Sequence, residues 1–226
     1  MNDTRTHDRL QLLGALGGAL FAVLTLVAYL LNTGPSSGRG VTVVEYYTEH
    51  GTATLWGAAL LGIGMVCFIW FAETFAASMS SAIGVVGAAV TAALYLLAVG
   101  CWEILGEIFG GVDIVDVPSE GYSDAHVIYD IGVGAAHMGN FGAAAFVAAT
   151  AAAMLSSPPW RALGMLGVAV AAFRLASALI ELASSSDWSD VVSIIGFLGF
   201  LGWVFAASIA LAVSNQRGTL LVPQTA

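Results

Sequence analysis

Arg174, Glu181, His137, Asp130, Glu103 and Asn140 are the residues whose types and spacing could do chemistry, because each lies within or at the end of a long apolar run. A charge in hydrocarbon is expensive unless it is paired or faces a wet cavity. Glu181 follows Arg174 by two helical turns on one face. His126, Asp130 and His137 fall four and seven apart on one stripe, with Asn140 a turn beyond His137, and Glu103 and Glu107 repeat the four-residue spacing earlier in the chain. Stripes that face one another would line an outward-opening pocket, with Arg174 at its floor and carboxylates above it, suited to a small molecule or a cation. The alternative is a buried ion pair, Arg174 with Asp130, Glu103 or Glu181, that only holds helices in register.

Sharper chemistries find less support. A zinc site needs three close N or O ligands and an open position, and His126, Asp130 and Glu107 supply them only if their helices touch. Asp113, Asp116, Glu120 and Asp124 are hard oxygen ligands of the kind calcium takes, but Asp113 and Asp116 lack the alternate spacing of an EF-hand loop. A retinal Schiff base needs a lysine, and all six basic residues are arginines. Haem needs axial ligands on facing helices, whereas His126 and His137 share one helix and His50 lies between runs. No HExxH, CxxC or phosphate-loop pattern occurs. The residues therefore imply no cofactor and give no support for an enzyme.

The elements that position these residues follow from composition: 58% hydrophobic and 9% charged residues leave too little polar surface for a domain dissolved in water. Apolar runs at Leu12 to Leu31, Leu55 to Ala77, Ala82 to Ile104, Val127 to Leu155, Ala162 to Leu182 and Val191 to Val213 each reach the roughly 20 residues that cross a bilayer. They lack the period-two alternation of a membrane barrel. The expected fold is all-α, a single polytopic bundle of six transmembrane helices, with outer loops at 32–54 and 105–126. The first run follows Arg5 and Arg9 as a secretory signal would, but it is longer than a signal core and no small-x-small site follows closely, so it reads as the first crossing.

Charge sets orientation, since Lys and Arg in short loops stay cytoplasmic. Arg5, Arg9, Arg161 and Arg217 share one side, which places both termini in the cytoplasm of a multi-pass plasma-membrane protein. Twelve of the fifteen acids then fall at or beyond the outer ends. Nothing basic enough for nucleic acid is present. In the first outer loop, Val43, Tyr46, Tyr47 and His50 would lie on lipid if that stretch formed an interfacial helix; otherwise it is a solvated loop with aromatic anchors. Trp56, Trp102, Tyr122, Tyr129 and Trp188 outside, with Trp70 and Trp160 inside, are placed as interfacial belts. Gly14, Ala15, Gly18 and Ala19 form a small-residue face in the first helix that could pack in the bundle or dock a partner membrane protein. Cys67 and Cys101 lie at different depths and are expected to stay unbridged.

The turn Ser157-Pro158-Pro159-Trp160-Arg161-Ala162-Leu163-Gly164-Met165-Leu166-Gly167, with Trp203, Ser208 and Leu211 in the last helix, resembles a group of uncharacterised six-helix membrane proteins of actinobacteria over about the C-terminal 90 residues. That resemblance implies a six-helix bundle and brings no activity. Helix number, length and inward termini are also similar to the substrate-binding subunits of energy-coupling-factor vitamin transporters. The leading expectation is a protein that binds, or helps to transport, a small molecule or cation through the outer pocket. A structural or regulatory membrane subunit and a metal-dependent membrane hydrolase are the alternatives.

Overall fold

The computed structural model describes residues 2–32, 34–35, 37–183 and 187–216, and side chains from residue 10 to 214 apart from 33, 36 and 182–190. The chain forms α1 (Asn2–Leu31), α2 (Gly40–Ser78), α3 (Ala82–Phe109), α4 (Ser119–Leu155), α5 (Arg161–Ala183) and α6 (Asp187–Gln216), with no strand among the described residues. All six are long and apolar enough to cross a membrane, so this is a multi-pass membrane protein. Leu16, Leu30, Ile63, Val66, Ile83, Val86 and Leu166 are exposed on the outside of the bundle, as a lipid-facing surface requires. Pro35, Pro118, Pro158 and Pro159 all lie between helices or at their boundaries, where the missing N–H costs nothing.

The helices stand in a ring in chain order: each packs on the next, α6 closes back on α1, and α2 also reaches across to α4. Small residues set the closest approaches. A Cβ added at Gly87 of α3 would sit 2.6 Å from the Phe146 backbone nitrogen and 2.9 Å from the Gly142 carbonyl oxygen, so the α3–α4 crossing is backbone against backbone. On α1, Gly14 and Gly18 instead make room for side chains, Thr74 and Phe71 of α2 and Ser208 of α6. A Cβ at Gly14 would come within 2.6 Å of the Thr74 side chain, and one at Gly18 within 2.6 Å of the Phe71 ring. Ala15 is buried with them. Of the two uses open to this face, Gly14, Ala15 and Gly18 are engaged in packing within the bundle, against α2 and α6.

The ring is filled at its arginine-rich end. Phe21, Phe68, Phe71, Phe75, Phe146, Phe200 and Trp203 form a buried aromatic plug, with ring centroids 4.8 Å apart for Phe21–Phe68, 5.5 Å for Phe68–Phe146 and 5.7 Å for Phe75–Trp203. Trp203 donates its indole N–H to the Leu163 carbonyl at 3.1 Å and lies where a Cβ at Gly167 would meet it at 2.7 Å. Leu163, Gly167 and Trp203 are therefore packing partners across α5 and α6.

The expected outer loops are corrected to helix. Residues 40–54 are the first turns of α2, neither a solvated loop nor a flat interfacial helix, and α3 and α4 extend to Phe109 and back to Ser119, joined through one 3-10 turn at Ile114–Asp116. At 39 residues α2 is about 58 Å long, nearly twice the roughly 30 Å hydrocarbon core. Its overhang is held by a second apolar cluster of Val43, Val44, Tyr47, Leu105, Phe109 and Ala125. Hydropathy misses these turns because Glu45, Glu49, Glu103 and Glu107 stay exposed on their other faces. Trp56 and Trp70 are exposed as belt residues should be, whereas Tyr129 packs against the second cluster and Trp102 faces the interior. The Trp188 side chain lies outside the described residues. Cys67 and Cys101 are both free.

Candidate functional site: a polar cavity in the acid-rich half

Where the plug ends, the ring is hollow. A cavity of about 720 Å³ is lined by the acid-rich halves of all six helices. Its walls are small where the plug is aromatic: Ala28 of α1, Gly57 and Ala58 of α2 and Ala136 of α4 stand at inward positions. Tyr29, Tyr47, Trp102, Tyr129 and Phe197 supply apolar and aromatic surface between them.

Arg174 of α5 lies at the boundary with the plug and is 2% exposed. Its stem passes Gly196 of α6, where an added Cβ would stand 3.4 Å from Cδ, and its guanidinium carbon lies 5.1 Å from the centre of the Phe200 ring. Nη2 donates to the Tyr95 hydroxyl at 2.7 Å, Tyr95 donates to Asn140 Oδ1 at 2.8 Å, and Asn140 Nδ2 donates to Glu181 Oε2 at 3.3 Å. Because the guanidinium and amide nitrogens can only donate and the carboxylate only accept, the chain runs in one direction from α5 through α3 and α4 back to α5. Glu181 Oε1 accepts from Ser177 at 3.1 Å and from Ser193 of α6, and His137 Nε2 stands 3.6 Å from Oε2. The carboxylate thus accepts three hydrogen bonds. In the guanidinium, Nε is buried and has no partner among the described residues.

Arg174, Glu181, His137 and Asn140 thus converge on the cavity; Asp130 and Glu103 do not line it. The expected ion pair is corrected as well, since no described carboxylate lies within 4.0 Å of Arg174. Each candidate partner misses for a geometric reason. Glu181 lies two turns, about 10 Å, further along the same helix, with Tyr95 and Asn140 between. Asp130 shares the stripe of His137 but stands two turns above it, half-exposed, 3.5 Å from His126. Glu103 points outward because Trp102 takes the inward position two turns beyond Tyr95.

The candidate zinc residues do not gather: no described group of three or more His, Cys, Asp or Glu side chains could hold a metal ion. His126 turns its Nδ1 to the Gly38 carbonyl at 2.6 Å, and Glu107 is exposed on α3. The connection Gly34-Pro35-Ser36-Ser37-Gly38 carries the G-x-S-x-G spacing of a hydrolase serine. A nucleophile elbow needs a strand before the serine; α1 precedes it here, and Ser36 itself lies outside the described residues.

Three members of the site were missed in the sequence. Tyr95 is the link between Arg174 and Asn140, and its signal was a tyrosine deep in the third run, whose buried hydroxyl needs a partner. Ser177 precedes Glu181 by one helical turn, a readable spacing. Ser193 comes from another helix and has no such local signal. The chain matches no known protein-family profile, no curated protein and no solved structure.

Proposed function

We propose that the protein binds a small molecule within this cavity, or helps it across the membrane. The observation that carries the proposal is the buried guanidinium of Arg174 with an unpartnered Nε at the floor of a cavity of about 720 Å³. That volume lies within the roughly 300–1,000 Å³ of small-molecule sites, and an apolar wall with a few convergent polar groups is their usual chemistry. The positive-inside rule supports a cell-membrane protein with both termini cytoplasmic, from Arg5, Arg9, Arg161 and Arg217, which puts the cavity in the outer half. Among the described residues the helices show no pair of breaks at mid-length repeated in the two halves, the mark of many self-sufficient transporters, so binding rather than unaided translocation is the core of the proposal.

Ala136→Cys, made in a Cys67→Ala, Cys101→Ala background and reconstituted into vesicles, tests it. A water-soluble methanethiosulfonate added on the acid-rich side should modify the new thiol, and reagent confined to the arginine-rich side should not. No modification from either side would show a cavity closed to solutes and sink the proposal.

The three hydrogen bonds that Glu181 accepts from α4, α5 and α6 favour a second reading, a structural or regulatory subunit in which this network only fixes helix packing. It predicts a cavity that no solute protects from labelling.

A further inference from the structure

Resting on the binding role proposed above, we infer that the cavity floor is a carboxylate site: Arg174 takes the single negative charge of a small acid whose apolar body lies among Tyr29, Trp102, Tyr129 and Phe197. Donor and acceptor accounting assigns the sign of the ligand. Glu181 accepts from three donors, Asn140, Ser177 and Ser193, with His137 Nε2 a further 3.6 Å from Oε2, so its charge is already offset within the protein. Arg174 offers five N–H bonds, of which the described residues use one, to Tyr95. Its Nε is buried without an acceptor although the side chain is 2% exposed. A buried cation lacking its acceptors is strongly penalised, and an anion arriving in the cavity removes that penalty.

The form of the anion follows from the neighbours. A guanidinium fork matches the two oxygens of a carboxylate in one plane. Tyr95 holds Nη2 from the α3 side, which fixes the plane of the fork beside the cavity that Arg174 lines. The cavity already contains the Glu181 charge, joined to Arg174 through Tyr95 and Asn140, so a monoanion is accommodated where a phosphate dianion would be repelled. Aromatic walls exclude a small hydrophilic acid and suit an aromatic or aliphatic body. Such an acid could come from the water phase or, as a free fatty acid, from the bilayer.

The test uses the full chain in phosphatidylcholine nanodiscs, with binding read by tryptophan fluorescence and calorimetry after subtraction of lipid-only discs. Two isosteric pairs serve as probes: 1-naphthoate with 1-naphthamide, and decanoate with decanamide. At least one acid should bind ten-fold or more tightly than its amide; preference for naphthoate marks an aqueous source and preference for decanoate a bilayer source. Arg174→Gln should abolish the preference of acid over amide. Tyr95→Phe, which removes the positioning hydroxyl, should reduce that preference several-fold. Equal binding of acid and amide to the wild-type chain overturns the carboxylate assignment while leaving small-molecule binding intact. Binding of none of the four probes also overturns it, and labelling of Ala136→Cys then decides separately on the cavity. Should Arg174→Gln fail to fold, the acid–amide comparison on the wild-type chain still decides the assignment.

Discussion

The two halves of the ring are built from the same six helices and are filled in opposite ways. At the arginine-rich end α2 presents Phe68, Phe71 and Phe75 inward, and Phe146 and Trp203 meet them; at the acid-rich end the same helix presents Gly57 and Ala58, opposite Ala136 and Ser193. Helix spacing need not differ between the halves for one to be solid and the other hollow, because inward side-chain size alone can decide it. The polar groups follow the same division. Hydrogen bonds from side chain to side chain join α3, α4, α5 and α6 around the cavity, whereas in the plug the Trp203 indole N–H finds a backbone carbonyl.

Substitutions can break or sharpen this contrast. Trp203→Ala empties the centre of the plug and should cost about 3–5 kcal/mol, as buried Trp and Phe truncations do, read as a large loss of thermal stability in detergent; a small loss would mean the aromatic half is not what holds the ring. Glu181→Leu removes the acceptor for Ser177, Ser193 and Asn140 and should cost about 1–3 kcal/mol in the same assay. Arg174→Met strands no carboxylate, so stability should change by less than about 1 kcal/mol or improve. A failure to fold would show that Arg174 does have an essential acidic partner. Asp130→Asn lies outside the cavity and should alter stability by less than about 0.5 kcal/mol, with Ala136→Cys labelling unchanged.

The arginine-rich ends of α2, α3, α4 and α5 were legible in the sequence and the acid-rich ends of α2, α3 and α4 were not, for one physical reason. At Ser78–Ser81 and Ser156–Arg161 an apolar run stops where the helix stops, and Ser81 caps α3 through Gly84 N at 3.1 Å. At Gly40 and Ser119 the helix begins well before the apolar run, in turns where one face is buried by other protein, the other carries polar residues, and hydropathy averages the two away. The site was legible to the extent that it depends on depth and helical face. Arg174, His137 and Asn140 were placed together by counting along two helices, and they do converge. Asp130 failed on height and Glu103 on angle, each by an amount that a one-dimensional count leaves open. Tyr95 went unnoticed because a tyrosine in an apolar run reads as packing until its hydroxyl has somewhere to point.

One unbroken rod, α2, carries Tyr47 in the overhanging cluster, Gly57 and Ala58 in the cavity wall and the three phenylalanines of the plug. No proline interrupts it between Gly40 and Ser78, so it lacks the commonest kind of sharp hinge. Its three compartments therefore share one rigid element: a change in the tilt of α2 at the cavity wall is also a change at the overhanging cluster, because no flexible joint separates Ala58 from Tyr47.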